Sequence, residues 1–520
     1  MIPGTTFRGE MIRQQVDIPR VSCESQRSTN WNERILITLL CFAAAVRVLL
    51  FSAASPFFSN VDEYLHFDLI TQYSHGHIPR TFNRLTEEAL DWIVPYASPE
   101  FLSAPNEFQN GKFPKPLWKQ SGPEVEPEMA ATRAAWSDQV NFEASQPPLY
   151  YALASAWWEI GKHIGFAGLQ SLYWIRFLNA LLLAIVVWMG YLTARTIAPE
   201  HLELRLGVPL LLAFIPQNVF YTINNDVLSP VCFGALFLLV LHWLRAETHS
   251  VWLGVATGLA IAATYLTKLS NLPFIGVALL IVTVQLRRIP WRTSASGLAT
   301  LAALLVCATI PIGSWMVWNK VHFGDLTGST AKISLLGWSQ KPFAAWWQHP
   351  IFTPGGLWVF WSSLIASFWR GELIWHGRFL NWGFVDWFFV ISSLVFLFSA
   401  MTAVASRSAF STFQRQAIAS AILVWLAGIF FLALLSIQFD FGESTGPTRV
   451  HPYFTAGRLL SGALIPFAVI YVSGISFLLR RAKVAVLPLL IIVAIVAVTA
   501  VSEIAVNHDM LASEHNWFHR

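Results

Sequence analysis

Long apolar stretches recur along the chain, separated by shorter polar segments. Each stretch is 16 to 24 residues long, and an α-helix of about 20 apolar residues is needed to cross the hydrocarbon core of a bilayer. The pattern therefore predicts an all-α polytopic membrane protein with about eleven transmembrane helices. We place these spans at residues 35–55, 174–194, 206–222, 228–244, 251–267, 271–286, 297–318, 386–405, 416–437, 456–479 and 484–503.

Basic residues divide unequally between the two sides that these spans define. The short loops on the side of the N-terminus carry eleven basic residues, whereas the opposite short loops carry only Lys268 and Arg449. Cytoplasmic loops are enriched in Lys and Arg, so we predict a multi-pass protein of the inner or plasma membrane. Its N-terminus is cytoplasmic and its C-terminus is extracytoplasmic. The eleven residues are Arg195, Arg205, Arg245, Arg287, Arg288, Arg292, Arg407, Arg415, Arg480, Arg481 and Lys483.

Two further apolar segments, 147–164 and 355–369, are long enough to pass for spans. Counting either one alone would move the later arginine clusters to the outer side, so we interpret both as helices on the outer membrane surface. A re-entrant path, or a compensating pair of spans, stays open. The predicted organisation is a cytoplasmic tail (1–33), a membrane domain (34–505) and an extracytoplasmic tail (506–520). The membrane domain includes outer loops at 56–146 and 319–385.

Composition excludes several classes of protein. Hydrophobic residues make up 55% of the chain and charged residues 12%, about half the charge of a typical soluble domain. The net charge of +4 is spread along the chain, and this argues against a nucleic-acid partner. The four cysteines lie in the N-terminal tail or in apolar stretches, so a disulfide framework in the outer loops is not expected.

The first candidate residues follow the first span directly. Asp62 and Glu63 are adjacent acids, and His66 lies one helical turn after Asp62. A carboxylate near the membrane surface has the character of a general base, and the alternative is a solvated acidic loop. A divalent cation bridging Asp62 and Glu63 stays open, although no spacing in the sequence requires a metal or cofactor.

Three more candidates lie where outer segments meet the membrane. Gln146 and Tyr150 belong to the sequence Gln-Pro-Pro-Leu-Tyr, where the first loop returns to the bilayer. Asp226 ends an Asn-Asn-Asp turn between two spans. The structural alternatives are a helix start with two prolines and a turn built from Asn and Asp.

Cationic candidates occur on the outer side, against the usual inside bias. Lys268 lies at the junction of two spans, and Arg458 follows His451 at the start of a late span. Phosphate binding would explain both cations, and the alternatives are a lipid headgroup for Lys268 and a salt bridge for Arg458. Arg47, inside the first span, is predicted to form a buried structural pair.

The order of these motifs resembles the GT-C superfamily of membrane glycosyltransferases, which includes protein O-mannosyltransferases and aminoarabinose transferases. The closest resemblance is to the bacterial membrane family DUF2142. The motifs that carry it are the acidic pair, Gln-Pro-Pro-Leu-Tyr-Tyr, the Asn-Asp turn, Thr-Lys, Ser-Phe-Trp at 367–369 and Gly-Arg at 457–458.

The resemblance implies a helical membrane fold with a catalytic carboxylate in the first extracytoplasmic loop. It also implies sugar donors carried on polyprenyl phosphate. Asp62 then matches the catalytic aspartate, Glu63 the second acid, and Lys268 and Arg458 the basic positions near the donor phosphate. The partners implied are a polyprenyl-phosphate sugar and membrane lipid.

The resulting hypothesis is an inverting glycosyltransferase in which Asp62 is the general base. Gln146, Tyr150, Asp226, His66 and His451 are expected to contribute to substrate binding. The alternatives are a glycolipid transporter or flippase, a polysaccharide polymerase or ligase, and a catalytically silent scaffold. The sequence specifies neither the sugar, nor the acceptor, nor the oligomeric state.

Overall fold

The computed structural model describes residues 21–288, 295–406, 408–442, 447–482, 484 and 486–519. In its first half the helices are α1 (Val21–Ala54), α2 (Glu63–Ser74), α3 (Glu87–Tyr96), α4 (Val125–Ser137), α5 (Leu149–His163), α6 (Leu169–Ile197), α7 (Leu202–Phe214), α8 (Ser229–Arg245), α9 (Val251–Thr267) and α10 (Leu272–Arg288). The later helices are α11 (Ala295–Phe323), α12 (Ser329–Leu335), α13 (Phe343–Trp346), α14 (Pro354–Arg370), α15 (Gly383–Ala405), α16 (Thr412–Gln438), α17 (Leu464–Leu479), α18 (Leu487–Val506) and α19 (His508–Leu511).

Two short antiparallel ribbons also form within the described residues. β1 (Ser339–Gln340) pairs with β4 (Phe439–Asp440), and β2 (Ile374–Trp375) pairs with β3 (Arg378–Phe379). The first ribbon joins the second outer loop to the segment after α16. The second forms a tight hairpin between α14 and α15.

The all-α polytopic membrane fold is confirmed. Over the described residues, nine helical segments are long and apolar enough to cross a membrane, and Val251–Thr267 is a shorter apolar helix. The nine segments are Trp31–Ala54, Leu169–Ile197, Asn225–Arg245, Leu269–Arg288, Ser296–Phe323, Gly383–Ala405, Thr412–Gln438, Gly457–Leu479 and Leu487–Val506. The predicted number of eleven is not confirmed.

The predicted span 206–222 is interrupted. α7 has 13 residues and is about 20 Å long, shorter than the roughly 30 Å hydrocarbon core. It ends at Phe214 because Ile215 precedes Pro216 and adopts extended backbone (φ −64°, ψ 126°). A 3₁₀ helix, Asn218–Tyr221, follows.

At the N-terminus, α1 begins at Val21, before the apolar stretch, so residues 21–33 of the predicted tail are helical. Its apolar part, Trp31–Ala54, corresponds to the first predicted span. The segments expected to form outer surface helices are the helices α5 and α14, and their orientation to the bilayer stays a prediction. Three of the eleven basic residues used for orientation lie outside the described residues: Arg292, Arg407 and Lys483.

Close packing of α9 against α11 depends on two glycines one helical turn apart. A Cβ atom at Gly254 would clash with the carbonyl oxygen of Thr300, and one at Gly258 would clash with that of Leu304. Small residues at this spacing let helix backbones approach closely in a membrane. The main core lies between α1, α6, α7, α8, α16 and α17, and the outer loops pack on one end of it.

Candidate functional site

Arg458 lies at the centre of a cluster of ionisable side chains from separate parts of the chain. Its Nη2 atom is 3.0 Å from Oδ2 of Asp62, and its Nε atom donates to Oε2 of Glu372 at 3.1 Å. Nη1 is 3.8 Å from Oδ2 of Asp226. The other oxygen of Asp226, Oδ1, lies 2.7 Å from Nζ of Lys268. Three carboxylates therefore face two cations, and the guanidinium fork is shared among the acids.

A glycine brings Arg458 to this position. Gly457 donates its backbone N–H to Oγ of Ser367 at 3.0 Å, and a Cβ at Gly457 would clash with the backbone of Phe368. The segment carrying Arg458 therefore packs directly on the end of α14. Glu372 lies two residues beyond that helix, within reach of the guanidinium.

Asp62 occupies a strained backbone position at the start of α2. Its φ of 63° is in the left-handed region, which few non-glycine residues adopt and in which Asp is enriched. Its carbonyl oxygen accepts hydrogen bonds from the amides of Leu65 and His66. Its side chain is about a quarter exposed, and among the described residues no hydrogen-bond donor contacts Oδ1. Arg458 thus holds one carboxylate oxygen, Oδ2, and leaves the other, Oδ1, without a contact to the guanidinium.

The Asn-Asn-Asp turn places Asp226. Oδ1 of Asn224 accepts from the backbone N–H of Asp226 at 2.9 Å, and Nδ2 of Asn224 donates to the carbonyl of Val61 at 3.3 Å. Ser461 donates to the carbonyl of Asp226 at 3.0 Å. The turn is therefore tied both to the residue before Asp62 and to the segment that carries Arg458.

Burial changes the ionisation of two members of the cluster. It lowers the pKa of the Lys268 ammonium, although the carboxylate of Asp226 opposes the change. It raises the pKa of Glu372, although Arg458 opposes the change. Glu372 is therefore easier to protonate than an ordinary glutamate.

Glu63 is separated from the cluster despite its adjacency to Asp62. Its side chain has no exposed surface, and it forms a bidentate pair with Arg176 at 2.7 and 2.8 Å. Backbone N–H groups of Ser59 and Ile223 also donate to it, at 2.9 and 2.8 Å. With four donors on its two oxygens, Glu63 is placed as a structural anchor, and its proposed catalytic role receives no support from this geometry.

His66 is buried in a neutral hydrogen-bond network. Nδ1 is 2.9 Å from the hydroxyl of Tyr151, which lies 3.5 Å from Nδ2 of Asn225. The same amide donates to Oε1 of Gln146 at 3.5 Å. Burial lowers the pKa of His66 to about 3, so the imidazole is neutral at physiological pH and is a poor base. Tyr150, also buried, hydrogen-bonds the backbone of Asn224.

A second ion pair joins the two outer loops beside this network. Nζ of Lys332 lies 2.7 Å from Oε1 of Glu143. Burial opposes ionisation of Glu143, but the attraction of Lys332 and of the further positive charge at Lys268, together with the hydrogen bond from Lys332, lowers its pKa to about 2. The pair fixes α12 to the segment just before α5.

His451 does not join the cluster. It is exposed, and its ring contacts Tyr453 with centroids 5.1 Å apart. Tyr453 packs near Gly356 at the start of α14, whereas Arg458 lies near the end of that helix. Since 14 residues of α14 correspond to about 20 Å, His451 lies apart from Arg458, and its contribution to substrate binding stays a prediction.

A divalent cation at Asp62 stays a prediction. Within the described ranges, no group of three His, Cys, Asp or Glu side chains is placed to hold a metal ion. Two surface cavities, of about 600 and 380 Å³, are lined by residues such as Arg245 and Glu200, and His201 and Arg480. These residues belong to the predicted cytoplasmic side. Arg245 and Arg480 lie at the ends of α8 and α17 opposite to the cluster.

Sequence reasoning missed Glu372, Arg176, Glu143 and Lys332. The sequence contained a signal for Arg176, because a guanidinium near the start of a predicted span requires an acidic or polar partner. Glu372 is one of few acids in an aromatic-rich loop. The expected buried pair of Arg47 is confirmed: its Nη1 atom lies 2.6 Å from Oε1 of Glu503, and Tyr221 contacts both side chains.

The fold and the cluster define a polytopic membrane protein with an ionisable site at one end of its helix bundle. The chain belongs to the family of predicted membrane proteins DUF2142, which matches residues 46–446, over three quarters of its length. Asp62, Asp226, Lys268 and Glu372 lie within the match, and Arg458 follows it.

Two solved structures are among those similar to the chain. One is the Archaeoglobus fulgidus oligosaccharyltransferase in complex with Zn and sulfate, with 13% identity, a TM-score of 0.39, and coverage of 89% of this chain and 53% of that one. The chain thus spans about half the length of the archaeal protein. The other is ArnT from Cupriavidus metallidurans bound to undecaprenyl phosphate, with 16% identity, a TM-score of 0.31, and coverage of 85% and 78%. The comparison with curated proteins gives no match.

Proposed function

We propose that the chain is a membrane glycosyltransferase of the GT-C type. It moves a sugar from a polyprenyl-phosphate donor to a hydroxyl group of an extracytoplasmic acceptor. The observation that supports this proposal is the convergence of Asp62 with Arg458 and Lys268 in a largely buried cluster at the predicted outer side. The motif resemblance to GT-C enzymes supplies the class of donor.

Lys268 and Arg458 bind the donor phosphate in this proposal. Arg458 is contacted by three carboxylates, but its contact to Asp226 is loose at 3.8 Å. A phosphate oxygen that replaces this contact gains charge-assisted hydrogen bonds from a planar donor fork. The charge on the phosphate grows as the glycosidic bond breaks, so both cations stabilise the transition state more than the ground state.

Asp62 is the proposed general base. The acceptor oxygen attacks the anomeric carbon, the bond from that carbon to the phosphate oxygen breaks, and the acceptor proton passes to Oδ1 of Asp62. The leaving group is polyprenyl phosphate, and a single displacement inverts the anomeric centre. A divalent cation, if the reaction used one, would be held by Asp62 and would supply charge neutralisation, because Arg176 occupies both oxygens of Glu63.

Placement of the ion pairs within the spans favours transfer over transport. A transporter for a charged glycolipid is expected to hold ionisable residues near the bilayer midplane. Glu503 instead lies three residues before the end of α18, and its partner Arg47 lies seven residues before the end of α1. Glu503 therefore lies near the predicted outer end of α18, and Arg47 lies in the predicted outer half of α1.

The test is sugar transfer from a panel of radiolabelled polyprenyl-phosphate sugars in membranes that contain the wild type or Asp62→Asn. The variant keeps the shape and a hydrogen bond to Arg458 but loses the base. We expect transfer to fall about 100-fold or more, since general bases contribute about 10²–10⁴-fold. The matched control is Asp138→Asn, an exposed carboxylate of the same loop, which keeps wild-type activity. Substantial transfer by Asp62→Asn, with normal membrane insertion, would exclude this mechanism.

A further inference from the structure

Asn60 joins the two segments that carry Asp62 and Glu372. Its Nδ2 atom donates to the carbonyl of Glu372 at 3.0 Å, and its Oδ1 atom accepts from the N–H of Ile374 at 2.9 Å. The side-chain amide of Asn60 therefore acts both as donor and as acceptor to the backbone around Leu373. The positions of the two acids around Arg458 are coupled through this contact.

A second, small hydrophobic core lies directly behind this contact. It contains Val61, Phe101, Leu373, Trp375 and Met510, each at most 5% exposed. Val61 and Leu373 are the chain neighbours of Asp62 and Glu372. Met510 comes from the segment that follows the last predicted span, more than 130 residues away along the chain.

The C-terminal segment is fastened to both outer loops. Ser513 donates to Oε2 of Glu100 at 2.5 Å, and the backbone N–H of His376 donates to the carbonyl of Glu100 at 2.9 Å. Farther along, the ring of Trp517 packs edge-on against Tyr173, with centroids 5.1 Å apart. The segment thus contacts the first loop, α6 and, through Met510, the hairpin after α14.

We propose that the C-terminal segment 507–519 is a positioning element for the Asp62–Arg458 cluster and that Met510 is its central positioning residue. This inference rests on the function proposed above. Met510 packs in the small core and is not a member of the charged cluster. It fills the space behind the residues next to Asp62 and Glu372, so both carboxylates keep their distances to Arg458. A displacement of about 1 Å at a reacting group can cost about 100-fold in rate.

The first test compares Met510→Ala with Met510→Leu and with Leu511→Ala, whose side chain is exposed. We expect kcat for transfer to fall about tenfold or more in Met510→Ala, because a cavity lets the two loops shift. The KM for the donor should stay within about twofold, since Lys268 and Arg458 remain. Met510→Leu, which conserves volume, should restore kcat, and Leu511→Ala should match the wild type. An unchanged kcat in Met510→Ala, or a raised KM alone, would overturn the proposal.

The second test is independent of transfer. Asp62→Cys is introduced into a chain whose four native cysteines are replaced by Ser, and its reaction with a membrane-impermeant maleimide is timed. We expect Met510→Ala to speed labelling about threefold or more by loosening local packing, whereas Leu511→Ala leaves the rate unchanged. If the wild type transfers no sugar from any donor, the proposed function fails while faster labelling still supports the positioning role. Equal labelling rates of Asp62→Cys with and without Met510→Ala would refute the positioning role.

Discussion

Neutralising the adjacent acids Asp62 and Glu63 should affect different properties. Glu63→Gln should lower the thermal stability, whereas Asp62→Asn should remove transfer and leave the stability unchanged. Glu63→Gln replaces a carboxylate that pairs with Arg176 through two hydrogen bonds and has no exposed surface. The guanidinium of Arg176 also donates to the carbonyls of Ser55 and Pro56, so it stays in place when its counter-charge is removed. The change leaves the guanidinium of Arg176, on α6, buried and without its counter-charge.

The magnitude follows from the burial of this pair. Removing one partner of a buried ion pair costs about 3–5 kcal/mol, and the lack of exposure of Glu63 leaves no solvent to screen the loss. With an unfolding entropy of about 2.1 cal/mol/K per residue, a chain of 520 residues loses roughly 1 °C of Tm per kcal/mol. We therefore expect Tm to fall by about 3–5 °C.

Thermal unfolding of the protein purified in detergent, followed by tryptophan fluorescence at one scan rate, measures this change. Glu88→Gln is the control, because Glu88 forms only a surface pair with His75 and such pairs are worth about 0–1 kcal/mol. Asp62→Asn should keep Tm near that of the wild type while losing transfer. A Tm for Glu63→Gln within about 1 °C of the wild type would refute the structural role that we assign to Glu63.

Two further predictions concern the cations and the buried histidine. Lys268→Gln should lower kcat/KM for the donor about 10- to 100-fold, because one charge-assisted hydrogen bond to phosphate is worth about 1.5–3 kcal/mol. Part of the loss should fall on kcat, since the cation stabilises the transition state more than the ground state. Steady-state transfer kinetics beside Lys112→Gln, an exposed lysine, measure this effect, and an unchanged kcat/KM would contradict it. His66 should make the protein less stable in acid. Its pKa is about 3 when folded and about 6.5 when unfolded, so only the unfolded chain binds the proton between these values. Lowering the pH from 6.5 to 5 should therefore cost about 2 kcal/mol, measured as a Tm that falls with pH less steeply in His66→Gln. Equal slopes would contradict this.

The fold was largely predictable because the bilayer imposes a length on each apolar helix. The interruption after Phe214 was missed because the apolar residues on both sides of Pro216, Gln217 and Asn218 keep the average hydropathy of residues 206–222 high. The conformational restriction on Ile215 is local and was present in the sequence. Hydropathy averages over a window, whereas a proline acts at one peptide bond.

The candidate site was predictable in part, for a topological reason. Asp62, Asp226, Lys268 and Arg458 each lie at the end of an apolar stretch, and the parity of spans assigns all four ends to one side. Their convergence then follows from bundle packing. The position of Glu372 in the cluster depends on a contact between loops more than 300 residues apart. A local sequence pattern does not predict such a contact.

The predicted roles of Glu63 and His451 receive no support from the structure. Both residues are close in sequence to a member of the cluster but lie apart from the cluster in space. Glu63 faces away from Asp62, since Asp62 adopts a left-handed conformation and α2 begins at Glu63, where Arg176 is within reach. His451 precedes Arg458 by only seven residues, yet the connecting segment runs along α14. In both cases the backbone path between neighbours decides the outcome.

The charge balance of the cluster bears on how a donor binds. With all groups ionised, Asp62, Asp226 and Glu372 outweigh Lys268 and Arg458 by one negative charge, and a phosphodiester donor adds another. Accumulating like charge in a largely buried site is unfavourable, so donor binding favours protonation of one acid. Burial already raises the pKa of Glu372, and its loss of charge frees the Nε donor of Arg458 for the phosphate. In the proposed mechanism, Glu372 is therefore the acid whose protonation accompanies donor binding, and Asp62 is left as the base.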